Sequence, residues 1–315
     1  MIQGGIQMKK WLGLFASSLV ALAATAGCGT SSNTSGSGAA TKTLNKDTIV
    51  VGSKNFTESL VLGEIYADVL EHAGFHVERK LNLGGTLVAQ EALKTGQIDL
   101  YPEYTGTGLL DILKLPTQTN PKKVYQTVKE DYKQKWNLDW LDPSPANDSQ
   151  GIVITKSVEQ KYHITDLSDM AKVAPQLRFA AVPEFTSRAD GLPGLQKLYG
   201  GFHFKSMKLY DYGVKYRVLL NGDVDGTVCF TTDGQLTDPK LFVVPDNKHL
   251  WPPYNVAPVV RDQIAVNDPK VVSVLNALAP KITSQVLQQL NAEVDIQKQD
   301  YQKVAKDWLT KQGLI

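Results

Sequence analysis

From Thr48 onward, short β-branched or alternating apolar runs take turns with longer stretches of helical period. TIVVGS reads as a buried strand, and ESLVLGEIYADVLEHAG as a helix that stops at Gly74. FHVERKLNL alternates as a strand does. GGT then opens a helix through LVAQEALKTG, ended by Gly96, and IDLYPEY is a third strand. Alternation of this kind predicts a mainly parallel sheet covered by helices.

The texture changes near LDPSPANDSQGIVIT, where Pro143 and Pro145 stiffen a connection and a new apolar run begins. A second α/β unit follows in LRFAAVPEF, the helical DGLPGLQKLYG, MKLYDYG, a helix through YRVLLNGD, and GTVCFTT. LFVVPDNKHLWPPYN is a second proline-rich passage. APVVRDQIA leads from it into long helical patterns that run to the C-terminus. Two proline-marked crossings predict two lobes: residues 47–144 with 250–315 form the first, and residues 145–249 the second. No internal sequence repeat relates them.

The start of the chain follows a different rule. Lys9 and Lys10 precede WLGLFASSLVALAATAG, an apolar run too short for a comfortable membrane span and rich in small residues at its end. It closes on Thr25-Ala26-Gly27-Cys28, which is similar to the lipobox of bacterial lipoproteins, where the cysteine is lipidated and becomes the first mature residue. Met8 would open a conventional leader, MKKWLG. GTSSNTSGSGAATKT then reads as a flexible tether. The expectation is a signal peptide over residues 1–27, a tether over 28–46, and a protein held by lipid on Cys28 at the outer face of the cytoplasmic membrane.

Composition mainly removes possibilities. With 42% hydrophobic and 21% charged residues, the chain can bury a substantial core. Its net charge is +1, and no basic block stands out, so nucleic acid is not an expected partner. His72, His76, His163, His203 and His249 are scattered, and the sequence has no HExxH, Cys/His cluster, GxSxG or Walker A run. Neither a metal, a cofactor nor a catalytic group is expected. Cys229, inside GTVCFT, reads as a core thiol.

What remains is a set of rings and polar groups at strand ends and in the crossings. Tyr101, Tyr104, Phe230, Trp251 and Tyr254 fall there, and Arg188 in EFTSRADG follows a strand. Ligands of open α/β sheets bind at the carboxyl ends of the strands. Rings around a closed cleft suit a quaternary ammonium, which cannot donate a hydrogen bond; a desolvated ring contributes about 2 kcal/mol. Arg188 suits a carboxylate on the same ligand. Taken singly, each ring also reads as core packing.

VVGSKNFTES, LGGT, IDLYPEYTGTGLL, EFTSRADGLPGL, TTDGQL and NKHLWPPYNVAPVV, in this order, resemble the substrate-binding proteins of osmoprotectant ABC transporters, the glycine betaine/carnitine/choline class. The likeness runs from about Thr48 to the C-terminus. It implies a two-lobed periplasmic-binding-protein fold, type II-like, with helices on both faces of each sheet and a ligand cleft between the lobes. It also implies a monomer that captures a quaternary-ammonium solute and delivers it to a permease and ATPase. In that family four rings cage the trimethylammonium head. Matched motif by motif, Tyr104, Phe230 and Tyr254 fall on ring positions, while Lys54, Thr107 and Arg188 fall on positions that hold the polar end. An aspartate at position 107 goes with choline; Thr107 resembles the broader-specificity members.

One position departs from the pattern. In NDSQGIVIT, Asn147 and Asp148 are retained, but Gln150 stands where relatives carry the remaining ring. The cage is then expected to be three-sided. Either a simple betaine binds less tightly, or the ligand is larger and polar on that side, as carnitine and ergothioneine are. An enzyme on the same scaffold would need a nucleophile–base pair or metal cluster, and a sensor would need a signalling partner. Delivery to a transporter is the preferred reading.

Overall fold

In the computed structural model, which describes residues 48–315, the strands are β1 (Thr48–Gly52), β2 (His76–Lys80), β3 (Leu100–Tyr104), β4 (Leu138–Trp140), β5 (Gln150–Thr155), β6 (Arg178–Ala181), β7 (Ser206–Leu209), β8 (Gly226–Phe230), β9 (Leu241–Val243) and β10 (Val256–Arg261). They form two five-stranded sheets, ordered β2-β1-β3-β10-β4 and β7-β6-β8-β5-β9. The expected signal peptide, Cys28 and tether lie outside the described residues.

Each sheet has four strands pointing one way and one strand against them. β10 is antiparallel to both β3 and β4, and β5 is antiparallel to both β8 and β9. β1, β2 and β3 are parallel, as are β6, β7 and β8. The reversed strands are the first ones after the two proline-rich crossings. The two-lobed α/β architecture is therefore present, with each crossing entering its new sheet in the opposite sense.

Alternation along the strands divides side chains between two cores per sheet. Ile49 and Val51 join helix Thr57–His72 and the C-terminal helices in one core, while Val50 faces helices Thr86–Lys94 and Pro121–Trp136 in another. In β5, Ile152 and Ile154 face one core and Val153 the other. Helix Thr57–His72 ends just before Gly74 at φ +95°, and helix Thr86–Lys94 ends before Gly96 at φ +76°, a left-handed stop that glycine adopts at little cost. No helix of the described residues is long and apolar enough to cross a membrane.

The crossings run side by side. Asn147 and Asn255 form an antiparallel bridge, Tyr254 N donates to Asn147 Oδ1 at 2.7 Å, and Asp148 N donates to Tyr254 O at 3.1 Å. This pairing brings Asp148, Gln150 and Tyr254 together where the chain passes between the sheets.

Candidate ligand-binding site

Strand direction explains why distant segments converge. Lys54 and Phe56 follow β1, Tyr104 ends β3, Arg188 follows β6, Tyr212 follows β7, and Phe230 ends β8. Because β5 and β10 are reversed, it is their starting ends, at Gln150 and Tyr254, that reach the same place. All eight residues expected from the sequence (Lys54, Tyr104, Thr107, Asp148, Gln150, Arg188, Phe230 and Tyr254) line one cavity of about 420 Å³.

The polar part of this cavity is held by ion pairs. Lys54 Nζ lies 2.5 Å from Glu103 Oε1 and 3.3 Å from Thr86 Oγ1, and 5.0 Å from the centre of the Tyr104 ring. Burial pushes the Lys54 pKa below that of an ordinary lysine, against the opposing pull of Glu103. Glu103 is fixed by Tyr101 OH at 2.8 Å and by Tyr104 N at 2.8 Å. Tyr101 and Glu103 therefore share a strand face and act behind Lys54. Neither lines the cavity.

Arg188 makes a bidentate pair with Asp190, at 2.7 Å from Nε and 2.6 Å from an η nitrogen. Its two η nitrogens also approach Thr86 Oγ1 at 3.4 Å and Thr107 Oγ1 at 3.5 Å, residues on the side of the first sheet. Asp190 accepts from Tyr254 OH at 2.5 Å as well. Burial alone would raise the Asp190 pKa, but Arg188 and Tyr254 hold it below the usual carboxylate range. Trp251 instead donates its indole N–H to Asp190 O at 2.8 Å and does not line the cavity.

Five rings line the cavity: Phe56, Tyr104, Tyr212, Phe230 and Tyr254. Phe56 sits 5.8 Å from Phe230 with 22° between planes, 5.8 Å from Tyr212 and 6.1 Å from Tyr104. The three-sided enclosure expected from Gln150 is thus supplemented by two rings, Phe56 and Tyr212, that sequence reasoning did not single out. Both were within reach of the strand-end rule that flagged Phe230. Gln150 donates from Nε2 to Tyr254 OH at 3.4 Å. Tyr254 rests against Gly106, where any Cβ would come within 2.7 Å of the ring, so only glycine admits it.

Glu184 was also unforeseen. It lines the cavity, and the hydrogen bond its carboxylate makes is from Tyr212 OH, at 3.3 Å. A neighbouring cavity of about 410 Å³ shares Phe56, Asp148, Tyr212 and Phe230 with the first and adds Glu58, Lys215, Tyr216 and Asp233.

The profile of the substrate binding domain of ABC-type glycine betaine transport systems matches residues 47–311. An ergothioneine transport permease/ergothioneine binding protein of Helicobacter pylori is 34% identical over 272 residues, 86% of this chain; the chain spans 49% of that relative's length. A glycine-betaine-binding protein of Pseudomonas aeruginosa is 34% identical over 280 residues, covering 85% of this chain and 89% of its own. A crystal structure of a glycine betaine/carnitine/choline ABC transporter superposes with a TM-score of 0.69 at 26% identity, over 84% of this chain and 99% of the other. With a two-lobed fold, a ring-lined cleft and a match over nearly all described residues, the chain belongs to the family of substrate-binding domains of ABC-type glycine betaine transport systems.

Proposed function

We propose that this protein captures a quaternary-ammonium solute in the ring-lined cavity and delivers it to the permease and ATPase of an ABC importer. One observation carries the reading: five rings, the buried Lys54 and the partly buried Arg188 surround a single cavity of about 420 Å³. The rings take the ammonium head by cation–π attraction, about 2 kcal/mol for each one desolvated and about 1 kcal/mol for one left partly exposed. Lys54, Thr107 and Arg188 hold the polar end, and Asp148 and Gln150 complete the wall. The solute is bound and released without bond chemistry, as residues 145–249 close against residues 47–144 and 250–315 about the paired crossings.

Gln150 and the Glu184 carboxylate favour a second reading of the ligand. Both offer hydrogen-bond acceptors that a trimethylammonium group cannot use, which suits a larger betaine with a polar arm, such as carnitine or ergothioneine. The name of the Helicobacter pylori relative points the same way. Calorimetric titration with glycine betaine, carnitine, choline and ergothioneine tests both readings. At least one is expected to bind at micromolar concentration, and failure of all four below about millimolar would end the quaternary-ammonium reading.

Substrate-binding proteins of ABC importers work outside the cytoplasm. We extend that to a monomer anchored by lipid on Cys28, after removal of residues 1–27 and with residues 28–46 as tether. Labelled fatty acid should enter the wild-type protein and be absent from Cys28→Ser.

A further inference from the structure

The wall of the cavity at Asp148 raises a question of protons, on the understanding that this cavity is the solute site. Thr232 Oγ1 lies 2.5 Å from Glu58 Oε2 and 2.6 Å from Asp148 Oδ1. A hydroxyl has one proton to donate. It satisfies one carboxylate only, so at this geometry the other carboxyl must itself donate to Thr232 Oγ1.

The remaining donors decide which carboxyl that is. Glu58 accepts from Tyr104 OH on Oε1 at 2.8 Å and from Asn291 Nδ2 on Oε2 at 2.8 Å. Asp148 Oδ1 has only the backbone N–H of Thr232 besides the hydroxyl, and that contact is long at 3.3 Å. Glu58 is therefore the better-supported anion. Both residues are buried, 3% and 4% exposed.

The surroundings supply no counter-charge. Asp233 faces both carboxyls, but it is paired with Lys215 at 2.9 Å and takes Tyr216 OH at 2.6 Å. From the first half, Tyr66 and Tyr104 face Glu58; from helix Ser284–Asp295, Asn291 bonds Glu58, and Asp295 is bonded to Thr57. No cation pairs with Glu58 or Asp148 among the described residues. Burial first, and for Asp148 the Glu58 charge second, pushes both carboxyls above the usual range.

We propose that Asp148 meets the solute as an uncharged carboxyl, donating through Thr232 to an ionised Glu58, so that closing the cleft takes up one proton and favours a zwitterion over a net cation. Glu58 stands on the helix beside the first sheet, and Thr232 follows β8 of the second, so the arrangement forms only when the halves are together. Apart, both carboxyls reach water and ionise near their ordinary values. A value raised in the closed state means that closure is strongest on the acid side and weakens as pH rises toward that value, by up to about tenfold in Kd per pH unit. As Asp148 ionises, choline gains relative to glycine betaine.

Calorimetric titration of glycine betaine and choline from about pH 5 to pH 9, in buffers of different ionisation enthalpy, reads the proton uptake directly. Uptake approaching one proton per betaine is expected, with a pH-dependent Kd. Asp148→Asn should give a flat profile without uptake, whatever affinity it keeps, and Thr232→Val should lose the uptake too. Infrared spectra at neutral pH, with and without solute, give an independent reading: a protonated-carboxyl band in the wild type that Asp148→Asn lacks. Binding without proton uptake, or a wild type with no such band in either condition, overturns the proposal. Failure of every quaternary-ammonium solute to bind would overturn the reading of the cavity instead, and the infrared band would still decide the shared proton.

Discussion

Two cavities meet at the wall made by Phe56, Tyr212 and Phe230, and they treat positive charge in opposite ways. In the acid-lined cavity the protein supplies its own ammonium. Lys215 Nζ lies 4.9 Å from the centre of Phe230, 5.0 Å from Tyr216 and 5.6 Å from Tyr212, and is fixed by Asp233 at 2.9 Å. In the ring-lined cavity the cations, Lys54 and Arg188, are drawn to one set of carboxylates, Glu103 and Asp190; Tyr104 meets Lys54, Tyr212 and Phe230 are shared with Lys215 of the neighbouring cavity, and Phe56 and Tyr254 have no lysine ammonium against them. The lesson concerns hydrogen bonds. A lysine can be tied by an ion pair and so becomes structure, whereas a trimethylammonium group can only be surrounded.

The strongest way to break this comparison is at Lys215. Lys215→Met removes the partner of Asp233, and stability should fall by about 3 kcal/mol, read as a lower midpoint in chemical denaturation, with solute affinity changing far less. If affinity collapses while stability holds, the acid-lined cavity belongs to the ligand site. Next in size is Gly106→Ala, whose Cβ would displace the Tyr254 ring and with it the hydrogen bond to Asp190; binding should weaken by about 2 kcal/mol, some 30-fold in Kd.

Phe56→Leu and Tyr212→Leu keep apolar bulk but remove the π face. Each should cost binding about 1 kcal/mol, roughly fivefold in Kd, and leave thermal stability within about 0.5 kcal/mol. Rings that behave otherwise serve the core. The smallest effect is expected at Gly85, where a Cβ would meet only the movable tip of Glu184 at 2.4 Å. Gly85→Ala should weaken solute binding by less than about 1 kcal/mol, because Glu184 swings aside.

Much of this was legible along the chain. The strand–helix alternation, the glycine stops at Gly74 and Gly96, and both crossings follow from local chemistry that tertiary packing does not override. Helix Pro121–Trp136 went unassigned because it is polar over most of its surface and buries only Val124, Val128 and Tyr132. Its end signals were nonetheless present: Asn120 caps Lys123 N at 3.1 Å, Pro121 starts the first turn, and Asn137 stops it at φ +55°. The reversal of β5 and β10 leaves no trace in periodicity, since a buried strand reads the same in either direction.

The site divides in the same way. Residues within recognisable motifs, such as Tyr104, Arg188 and Tyr254, were found from the sequence and do line one cavity. Phe56 and Tyr212 follow strand ends that the sequence marks, but that Phe56 meets Phe230, 174 positions away, is set by sheet order alone. The Glu58–Thr232–Asp148 contact was equally out of reach, since it depends on a helix of one half meeting a loop of the other.

The central claim is that the ring-lined cavity recognises positive charge without hydrogen bonds. The most direct measurement is calorimetric comparison of glycine betaine with 3,3-dimethylbutanoate, its uncharged-head isostere, and of choline with 3,3-dimethylbutan-1-ol. The shapes match within each pair, so hydrophobic burial is held nearly constant. The account predicts that the ammonium member of the tighter-binding pair binds at least about tenfold more tightly than its carbon analogue. Equal affinities within that pair would contradict it.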